Sequence, residues 1–213
     1  MTRQVLGKSN NKADEGARLA YYTLPPPHGI AGVHPDRLVD VDETGVWLAV
    51  CRRKLGHVPR GEKGETHAPY SVGKKYTVTL AIDTGGVVAY LISDAPGTTS
   101  EMWYAFLQGS LLPHLAVPGR VLLYDNLSAH GNAAARALIV GSGHESVKRP
   151  KYSCDLGSVE FANNVFKTEL RQNWYELTDD NLVDYVDAAI QTLTAEQCRG
   201  FFRHTGHFVQ LDA

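Results

Sequence analysis

The stretch Leu38-Val39-Asp40-Val41-Asp42 alternates apolar and acidic side chains. Successive side chains of a β-strand point to opposite faces, so the two valines share one face and the two aspartates share the other. The stretch therefore predicts a first strand that offers an apolar face to a core and ends at Asp42. Ligand sites of open sheets form beyond strand ends, which makes this position a favoured place for a functional carboxylate.

Further strand patterns follow on the C-terminal side of this stretch. The Glu-Thr-Gly at 43–45 predicts a turn, and Val46–Cys51 predicts a second strand after it. Residues 75–83 alternate apolar and polar side chains, the glycine pair at 85–86 supplies a tight turn, and Val87–Ile92 returns. Two alternating runs joined by a glycine pair are typical of a β-hairpin.

The second half of the chain alternates between helix and strand patterns. Thr98–Glu101 has the signature of a helix start. Val121–Tyr124 is a short apolar run that ends at Asp125, as expected for a strand buried on both faces. Ser146–Arg149 predicts one more short strand, and helical spacing of apolar residues predicts a helix over Gly157–Gln172. Antiparallel strands followed by alternating helices and strands predict an α/β fold with a mixed central sheet flanked by helices.

The composition is that of a globular protein. The 213 residues are 43% hydrophobic and 21% charged, which excludes a disordered tail, a fibre and a coiled coil. A net charge of −2 excludes a strongly basic, histone-like binder but leaves room for a local basic patch. The 3 cysteines form no C-x-x-C pair, so neither a disulfide framework nor a zinc knuckle is predicted. The chain starts without an apolar leader and has no run of ~20 apolar residues, so we expect a soluble protein that is neither secreted nor membrane-bound.

Three acidic residues lie at the ends of predicted elements and are candidates for metal-dependent chemistry. Asp42 and Asp125 each end a strand, and Glu160 lies in the first turn of a helix. Carboxylate oxygens are the ligands that Mg²⁺ and Mn²⁺ prefer, and three converging carboxylates can hold two such ions for phosphoryl chemistry. A lone Asp at a strand end is more often a turn cap. Three further acids compete with this set on position alone: Asp40, Asp83 and Asp155.

Five segments, taken in chain order, resemble one family. They are residues 41–45 (VDETG), 56–62 (GHVPRGE), 124–130 (YDNLSAH), 152–160 (YSCDLGSVE) and 201–206 (FFRHTG). Together they resemble the DDE transposases of the mariner superfamily, in which D-E-[ST]-G, D-N-x-x-x-H and Y-S-P-D-L-N-P-I-E carry the three carboxylates. Between Asp125 and Glu160 lie 34 residues, which matches one spacing class of this family. The resemblance covers residues 36–207.

The resemblance implies an RNase H-like fold and a reaction. Asp42, Asp125 and Glu160 would be the catalytic residues and would bind two Mg²⁺ or Mn²⁺ ions. The implied reaction is cleavage of DNA by water, followed by attack of a 3′ hydroxyl on target DNA. The implied enzyme is thus a metal-dependent DNA endonuclease and strand transferase whose partners are transposon ends and target DNA. Whether it forms a homodimer stays open.

The resemblance also divides the chain. We expect an N-terminal arm at 1–37, an RNase H-like DDE catalytic domain at 38–175 and a C-terminal helical extension at 176–213. Members of the family carry paired helix-turn-helix modules before the catalytic domain, and only about 37 residues precede the first motif here. A truncated copy without sequence-specific recognition of transposon ends is therefore expected. It would act in the nucleus of a eukaryote and otherwise in the cytoplasm.

Both prolines of the third family motif are replaced in this chain. Cys154 and Ser158 stand where the motif has proline. Because proline fixes φ, the turn that presents Glu160 is expected to be less rigid. This departure favours an alternative hypothesis, a catalytically inactive or domesticated RNase H-like module that binds nucleic acid. An RNase H-like nuclease unrelated to transposition is a third possibility that the sequence leaves open.

Several basic and polar residues are candidates for DNA contact. Residues 52–75 contain 7 Lys or Arg against 2 Glu, which fits either the tracking of a phosphate backbone or an ordinary solvated loop. Helical spacing places Lys167 and Arg171 on the side of Glu160. The candidate set is Arg52, Arg53, Lys54, Arg60, Asn126, Lys148, Arg149, Lys167 and Arg171.

Two side chains follow the second carboxylate closely. Asn126 is expected either to orient Asp125 or to form a local Asx turn. For His130, a structural role near a helix start is favoured over an approach to the scissile phosphate.

Overall fold

Five strands in the described part of the chain form one sheet. The computed structural model describes residues 13–52, 59–63, 73–95 and 97–208. The strands are β1 (Leu38–Val46), β2 (Tyr76–Asp83), β3 (Gly86–Ser93), β4 (Val121–Tyr124) and β5 (Glu145–Lys148). Their order is β3-β2-β1-β4-β5. The pairs β1–β2 and β2–β3 are antiparallel, whereas β1–β4 and β4–β5 are parallel, so the predicted mixed sheet is confirmed.

Helices cover both faces of this sheet. They are α1 (Glu15–Thr23), α2 (Leu48–Cys51), α3 (Ser100–Phe106), α4 (Ala133–Gly141), α5 (Ser158–Gln172), α6 (Leu182–Gln191) and α7 (Ala195–His204). The helix start predicted before α3 is present, because the Thr99 hydroxyl accepts a hydrogen bond from the Met102 N–H at 3.2 Å. Within the described ranges, no helix combines the length and the apolar character that a bilayer crossing requires.

The register of β1 and β4 places two acidic residues side by side. Leu38 pairs with Val121, and Asp40 pairs with Leu123. Two residues further along both strands, the same parallel register reaches Asp42 on β1 and Asp125 after β4. The pairing of these two strands therefore sets the distance between the first two predicted carboxylates.

The predictions for residues 43–51 are wrong. Residues 43–45 do not turn but continue β1, where Glu43 pairs with Thr79 and Gly45 with Thr77. The ladder with β2 satisfies the backbone groups of this segment and overrides the turn preference of its side chains. The chain leaves the sheet after Val46, and the predicted second strand is replaced by the single helical turn α2.

Two apolar clusters pack on opposite faces of the sheet. Val39 and Val41 belong to the cluster that includes Trp103 of α3. Leu38 and Leu80 belong to the other cluster, which includes residues of α5, α6 and α7. Because side chains alternate along a strand, the even-numbered positions Asp40 and Asp42 face the α5 side. Their burial therefore depends on how α5 packs.

Segments outside residues 38–175 contribute to the same core. Tyr21 of α1 and Ile30 are each 1% exposed and pack in the cluster that contains α5. Phe202 of α7 is fully buried in that cluster. Parts of the predicted arm and of the predicted C-terminal extension thus support the helix that carries Glu160.

Candidate active site

A cleft of about 720 Å³ opens at the end of β4. Its walls contain all three predicted catalytic residues: Asp42 from β1, Asp125 after β4, and Glu160 from the first turn of α5. Glu43 and Lys151 also line it. Three distant segments of the chain therefore meet at one site.

Asp42 is a buried carboxylate, 8% exposed. Its Oδ1 accepts a hydrogen bond from the Glu43 N–H at 2.9 Å, and its Oδ2 lies 3.9 Å from Nη2 of Arg149. Burial raises the pKa of Asp42 to about 8; Arg149 opposes the rise and Glu160 adds to it. Such a carboxylate is one whose charged form a bound cation would stabilise.

Asp125 is about half exposed and is oriented by its neighbours. Its Oδ1 accepts a hydrogen bond from the Leu127 N–H at 2.8 Å. The same oxygen lies 2.9 Å from Nδ1 of His130, with which it forms an ion pair. Although burial acts in the opposite direction, His130 and the Leu127 N–H hold the pKa of Asp125 below its usual value.

His130 is a buried cation between two carboxylates. Its side chain is 0% exposed, and Nε2 lies 2.9 Å from Oε1 of Glu43. Burial alone would lower the pKa of His130, but Asp125 and Glu43 raise it to about 9. The ring therefore ties Asp125 to β1 from inside the core. Glu43 is a site residue that the sequence analysis missed, although its place next to Asp42 was a signal for it.

Glu160 depends on how α5 begins. The residue before the helix, Gly157, has no side chain that could cap it. Instead, Oδ2 of Asp40 on β1 accepts a hydrogen bond from the Val159 N–H at 3.1 Å. A carboxylate at a helix N-terminus satisfies a free N–H group and interacts favourably with the helix dipole. The residue directly before Glu160 is thus fastened to the central sheet.

Asp40 also forms a buried ion pair with Arg149. The two side chains are 0% and 4% exposed. Burial raises the pKa of Asp40, whereas Arg149 and the Val159 N–H oppose the rise. Arg149, a candidate for DNA contact, lines the cleft, and its guanidinium faces carboxylates inside the protein. Its contact with DNA stays a prediction.

The other two competing acids are also engaged with arginines. Asp83 pairs with Arg120. Asp155 receives two hydrogen bonds from Arg18 of α1, at 2.9 and 2.7 Å. Neither acid lines the cleft, so the structure separates both from Asp42 and its partners.

Ser158 belongs to a buried polar network. Its Oγ lies 2.8 Å from Oγ1 of Thr205 and 3.1 Å from Nδ1 of His207. Nε2 of His207 lies 3.0 Å from the hydroxyl of Tyr21. A position that holds proline in the family motif therefore contacts the turn after α7 directly and is linked to α1 through His207.

The buried His207 makes the fold sensitive to acid. Burial, together with the nearby Arg149, lowers the pKa of His207 to about 3. The unfolded chain, with its ordinary His pKa of about 6.5, takes up the proton first, so stability is present above pH ~6.5 and is lost as the pH falls towards ~3. Between pH 7 and pH 5, we expect this residue to lower the free energy of unfolding by about 2 kcal/mol. Urea unfolding of wild type and His207→Gln measures the difference; equal losses in both proteins would contradict the assignment.

The carboxylates fit divalent cations chemically but are not assembled around one. In the described ranges, no three His, Cys, Asp or Glu residues are arranged so that they could hold a metal as they stand. One oxygen of each aspartate is engaged within the protein: Oδ1 of Asp125 contacts His130 and the Leu127 N–H, and Oδ1 of Asp42 accepts the Glu43 N–H. The oxygen donors that face the cleft are nevertheless of the type that Mg²⁺ and Mn²⁺ prefer.

The candidate DNA-contacting residues differ in their exposure, and some lie outside the described ranges. Arg53 and Lys54 lie outside the described residues, as do residues 56–58 of the family-like segment at 56–62. Arg60 is exposed, and Arg52, Lys148 and Arg171 are half-buried. Their contacts with DNA stay predictions.

Two further candidates have clear partners in the protein. Asn126 lines the cleft, and its Nδ2 donates a hydrogen bond to the Arg149 carbonyl at 2.5 Å. Lys167 of α5 donates a hydrogen bond to the Thr44 hydroxyl. Burial and the nearby Arg171 lower the pKa of Lys167. Both side chains join elements of the site together.

The comparison with protein families gives the class of this protein. The model of a family described as "DDE superfamily endonuclease" matches residues 37–182, which is more than half of the chain. The chain therefore belongs to the DDE superfamily endonuclease family. The matched range includes all three carboxylates of the cleft.

Solved structures with a similar fold include several of the Mos1 transposase. The Mos1 mariner paired-end complex with Mn has a TM-score of 0.71 at 18% identity, over 100% of this chain and 66% of that one. The Mos1 transposase paired-end complex with left transposon end has a TM-score of 0.68 at 17% identity, and the match covers 98% of this chain and 63% of that one. The Mos1 transposase catalytic domain with Raltegravir and Mn has a TM-score of 0.58 at 16% identity, and the match covers 84% of this chain and 80% of that one. A search of curated proteins gave no match.

These comparisons confirm two predictions. The fold is the RNase H-like fold of the Mos1 catalytic domain, and the resemblance to DDE transposase catalytic domains of the mariner type is confirmed. The chain spans slightly less than two thirds of the Mos1 chains in the paired-end complexes.

Proposed function

We propose that this chain is a DDE-type transposase or endonuclease catalytic domain that cleaves and joins DNA phosphodiesters with two divalent metal ions. The observation that carries the proposal is the convergence of Asp42, Asp125 and Glu160 on one cleft from three distant segments. Each of these carboxylates also lies at the position of the metal-binding acidic residue in one of the three family motifs.

Different residues of the cleft would have different roles in this reaction. Asp42, Asp125 and Glu160 would hold two Mg²⁺ or Mn²⁺ ions, which when bound activate an attacking oxygen and stabilise the leaving one. His130 keeps Asp125 ionised and oriented at neutral pH. Lys151 in the cleft wall supplies a positive charge for a DNA phosphate.

DNA is the proposed substrate because of the family and of the fold relatives. The similar Mos1 structures include complexes with a transposon end, with Mn and with Mg. We propose the same two classes of partner, DNA ends and divalent ions, for this chain. Pairing of two copies is part of the same proposal.

The decisive experiment is a plasmid-nicking assay with the purified chain. Supercoiled DNA is expected to be converted to open circles with Mn²⁺ or Mg²⁺ and to stay supercoiled with EDTA, because the proposed chemistry needs the ions. Nicking that persists in EDTA would contradict the metal-dependent reaction.

A second outcome would favour the non-catalytic alternative. A chain that nicks under none of these conditions but binds duplex DNA in a salt-sensitive, metal-independent way would act as a binding module. The proline-free third motif is the feature that favours this alternative.

A further inference from the structure

The side chain of Arg149 is attached to the segment that carries the first carboxylate. Its guanidinium pairs with Asp40, and its Nη2 lies 3.9 Å from Oδ2 of Asp42 and 3.5 Å from the Val41 carbonyl. The residue is 4% exposed, so these contacts are made inside the protein. Three successive residues of β1 are therefore held by one guanidinium.

The main chain of Arg149 holds the second segment. Its N–H donates a hydrogen bond to the Tyr124 carbonyl at 2.8 Å, and its carbonyl accepts one from Nδ2 of Asn126 at 2.5 Å. Tyr124 and Asn126 are the two neighbours of Asp125 in the chain. The same residue thus fixes both flanks of the second carboxylate.

The third segment is reached through Asp40. One oxygen of this carboxylate pairs with Arg149, and the other accepts the N–H of Val159, the residue before Glu160. An ion pair whose two side chains are both buried is stable only if their remaining hydrogen-bond donors and acceptors are also satisfied. Here the helix start supplies the missing donor.

Gly157 supplies the space for this arrangement. A Cβ at this position would lie 3.2 Å from Nη1 of Arg149 and 3.2 Å from Cγ of Glu160. The family motif has asparagine at this place, whereas glycine here leaves room for the guanidinium beside the start of α5. A side chain at this position would press on the guanidinium, because 3.2 Å is tighter than an ordinary van der Waals contact.

We propose that Arg149, together with Asp40, is a positioning residue that sets the relative placement of Asp42, Asp125 and Glu160. The catalytic consequence rests on the proposed function, whereas the structural part can be measured on the metal-free protein. Arginine suits this role because its planar guanidinium offers five donors in fixed directions. The role is an alternative to the DNA contact expected from the sequence.

The test replaces both members of the buried pair. Removing one member leaves an unpaired buried charge, whereas apolar replacement of both preserves stability in many proteins. The test variant is therefore Asp40→Leu/Arg149→Met. The matched control is Asp83→Leu/Arg120→Met, which removes another Arg–Asp pair outside the cleft. The variant Arg149→Lys, which keeps the charge but not the planar fork, covers the case in which the first variant does not fold.

The first readout is amide hydrogen exchange in the metal-free chain. Exchange of the Val159 N–H is expected to be at least ~10-fold faster in the test variant and in Arg149→Lys than in wild type and in the control. Amides of α7 are expected to exchange as in wild type, because a local opening does not expose them. Wild-type protection of Val159 in both Arg149 variants would overturn the proposal.

The second readout is the Mn²⁺ affinity measured by titration calorimetry. We expect a loss of at least ~10-fold in the test variant and no change in the control, as for other residues that orient metal ligands. In the nicking assay, kcat is expected to fall while the KM for DNA is unchanged. A test variant with wild-type affinity and kcat would overturn the positioning role. Failure of the wild type itself to bind Mn²⁺ would count against the proposed function only, because the exchange of Val159 still decides the positioning role.

Discussion

Replacing Asp42 by Asn is expected to reduce the rate of DNA nicking about 1000-fold, equivalent to ~4 kcal/mol of transition-state stabilisation. The amide keeps the shape of the side chain and can still accept the Glu43 N–H, but it carries no charge for a divalent ion. The measurement is the initial rate of open-circle formation with Mn²⁺. A rate within tenfold of wild type would contradict a role for Asp42 as a metal ligand.

The same substitution is expected to leave the fold intact or to stabilise it. The pKa of Asp42 is about 8 in the folded chain. Because this is above its value in the unfolded chain, the folded state gains stability from the proton at low pH and loses it as the pH rises towards 8. At pH 7, the neutral amide of the Asp42→Asn variant avoids this loss, so urea unfolding should give a free energy at least equal to that of wild type. Asp94→Asn, which changes an exposed carboxylate paired with Lys74, is the control and should keep the wild-type nicking rate.

Replacing Asp125 by Asn is expected to lower the affinity for Mn²⁺ about 100-fold. Asp125 is held ionised by His130 and by the Leu127 N–H, so its oxygens are available to a cation at neutral pH. The amide would offer one neutral oxygen in place of a carboxylate and would leave the buried His130 cation with only one acidic partner. Titration calorimetry of the two proteins at pH 7 measures the difference.

The control for this titration lies in the same part of the structure. Asp155→Asn alters an exposed carboxylate in the third motif that pairs with Arg18 rather than facing the cleft. It should bind Mn²⁺ with the wild-type affinity. If Asp125→Asn and Asp155→Asn lose affinity equally, the second carboxylate has no special place in metal binding.

The sequence predicted those parts of the fold that have a local signal. The alternation at 38–42, the hairpin pattern and the apolar run at 121–124 correspond to strands of the sheet. The turn predicted at residues 43–45 is absent because the partner strand β2, about 30 residues further along the chain, decides the conformation of this segment. Local turn preference carries no information about such a partner.

The same distinction holds for the site. Asp42, Asp125 and Glu160 could be selected because each stands in a recognisable motif. Nothing local indicates that Asp40 meets the start of a helix 119 residues away, or that Arg149 lies buried between carboxylates. An arginine near a motif looks the same in the sequence whether it faces DNA or the interior, and only the packing of α5 on the sheet distinguishes the two.

Asp42 lies on β1 and Asp125 directly follows the neighbouring parallel strand β4, and this shared register has an evolutionary consequence. A slip of one residue between β1 and β4 would turn Asp42 to the opposite face of the sheet and destroy the core at the same time. Copies of the protein that still fold therefore cannot change the register between β1 and β4 gradually. As copies of such a gene diverge, we expect the loss of activity to come abruptly, through single exchanges of acidic residues, while the scaffold around them persists.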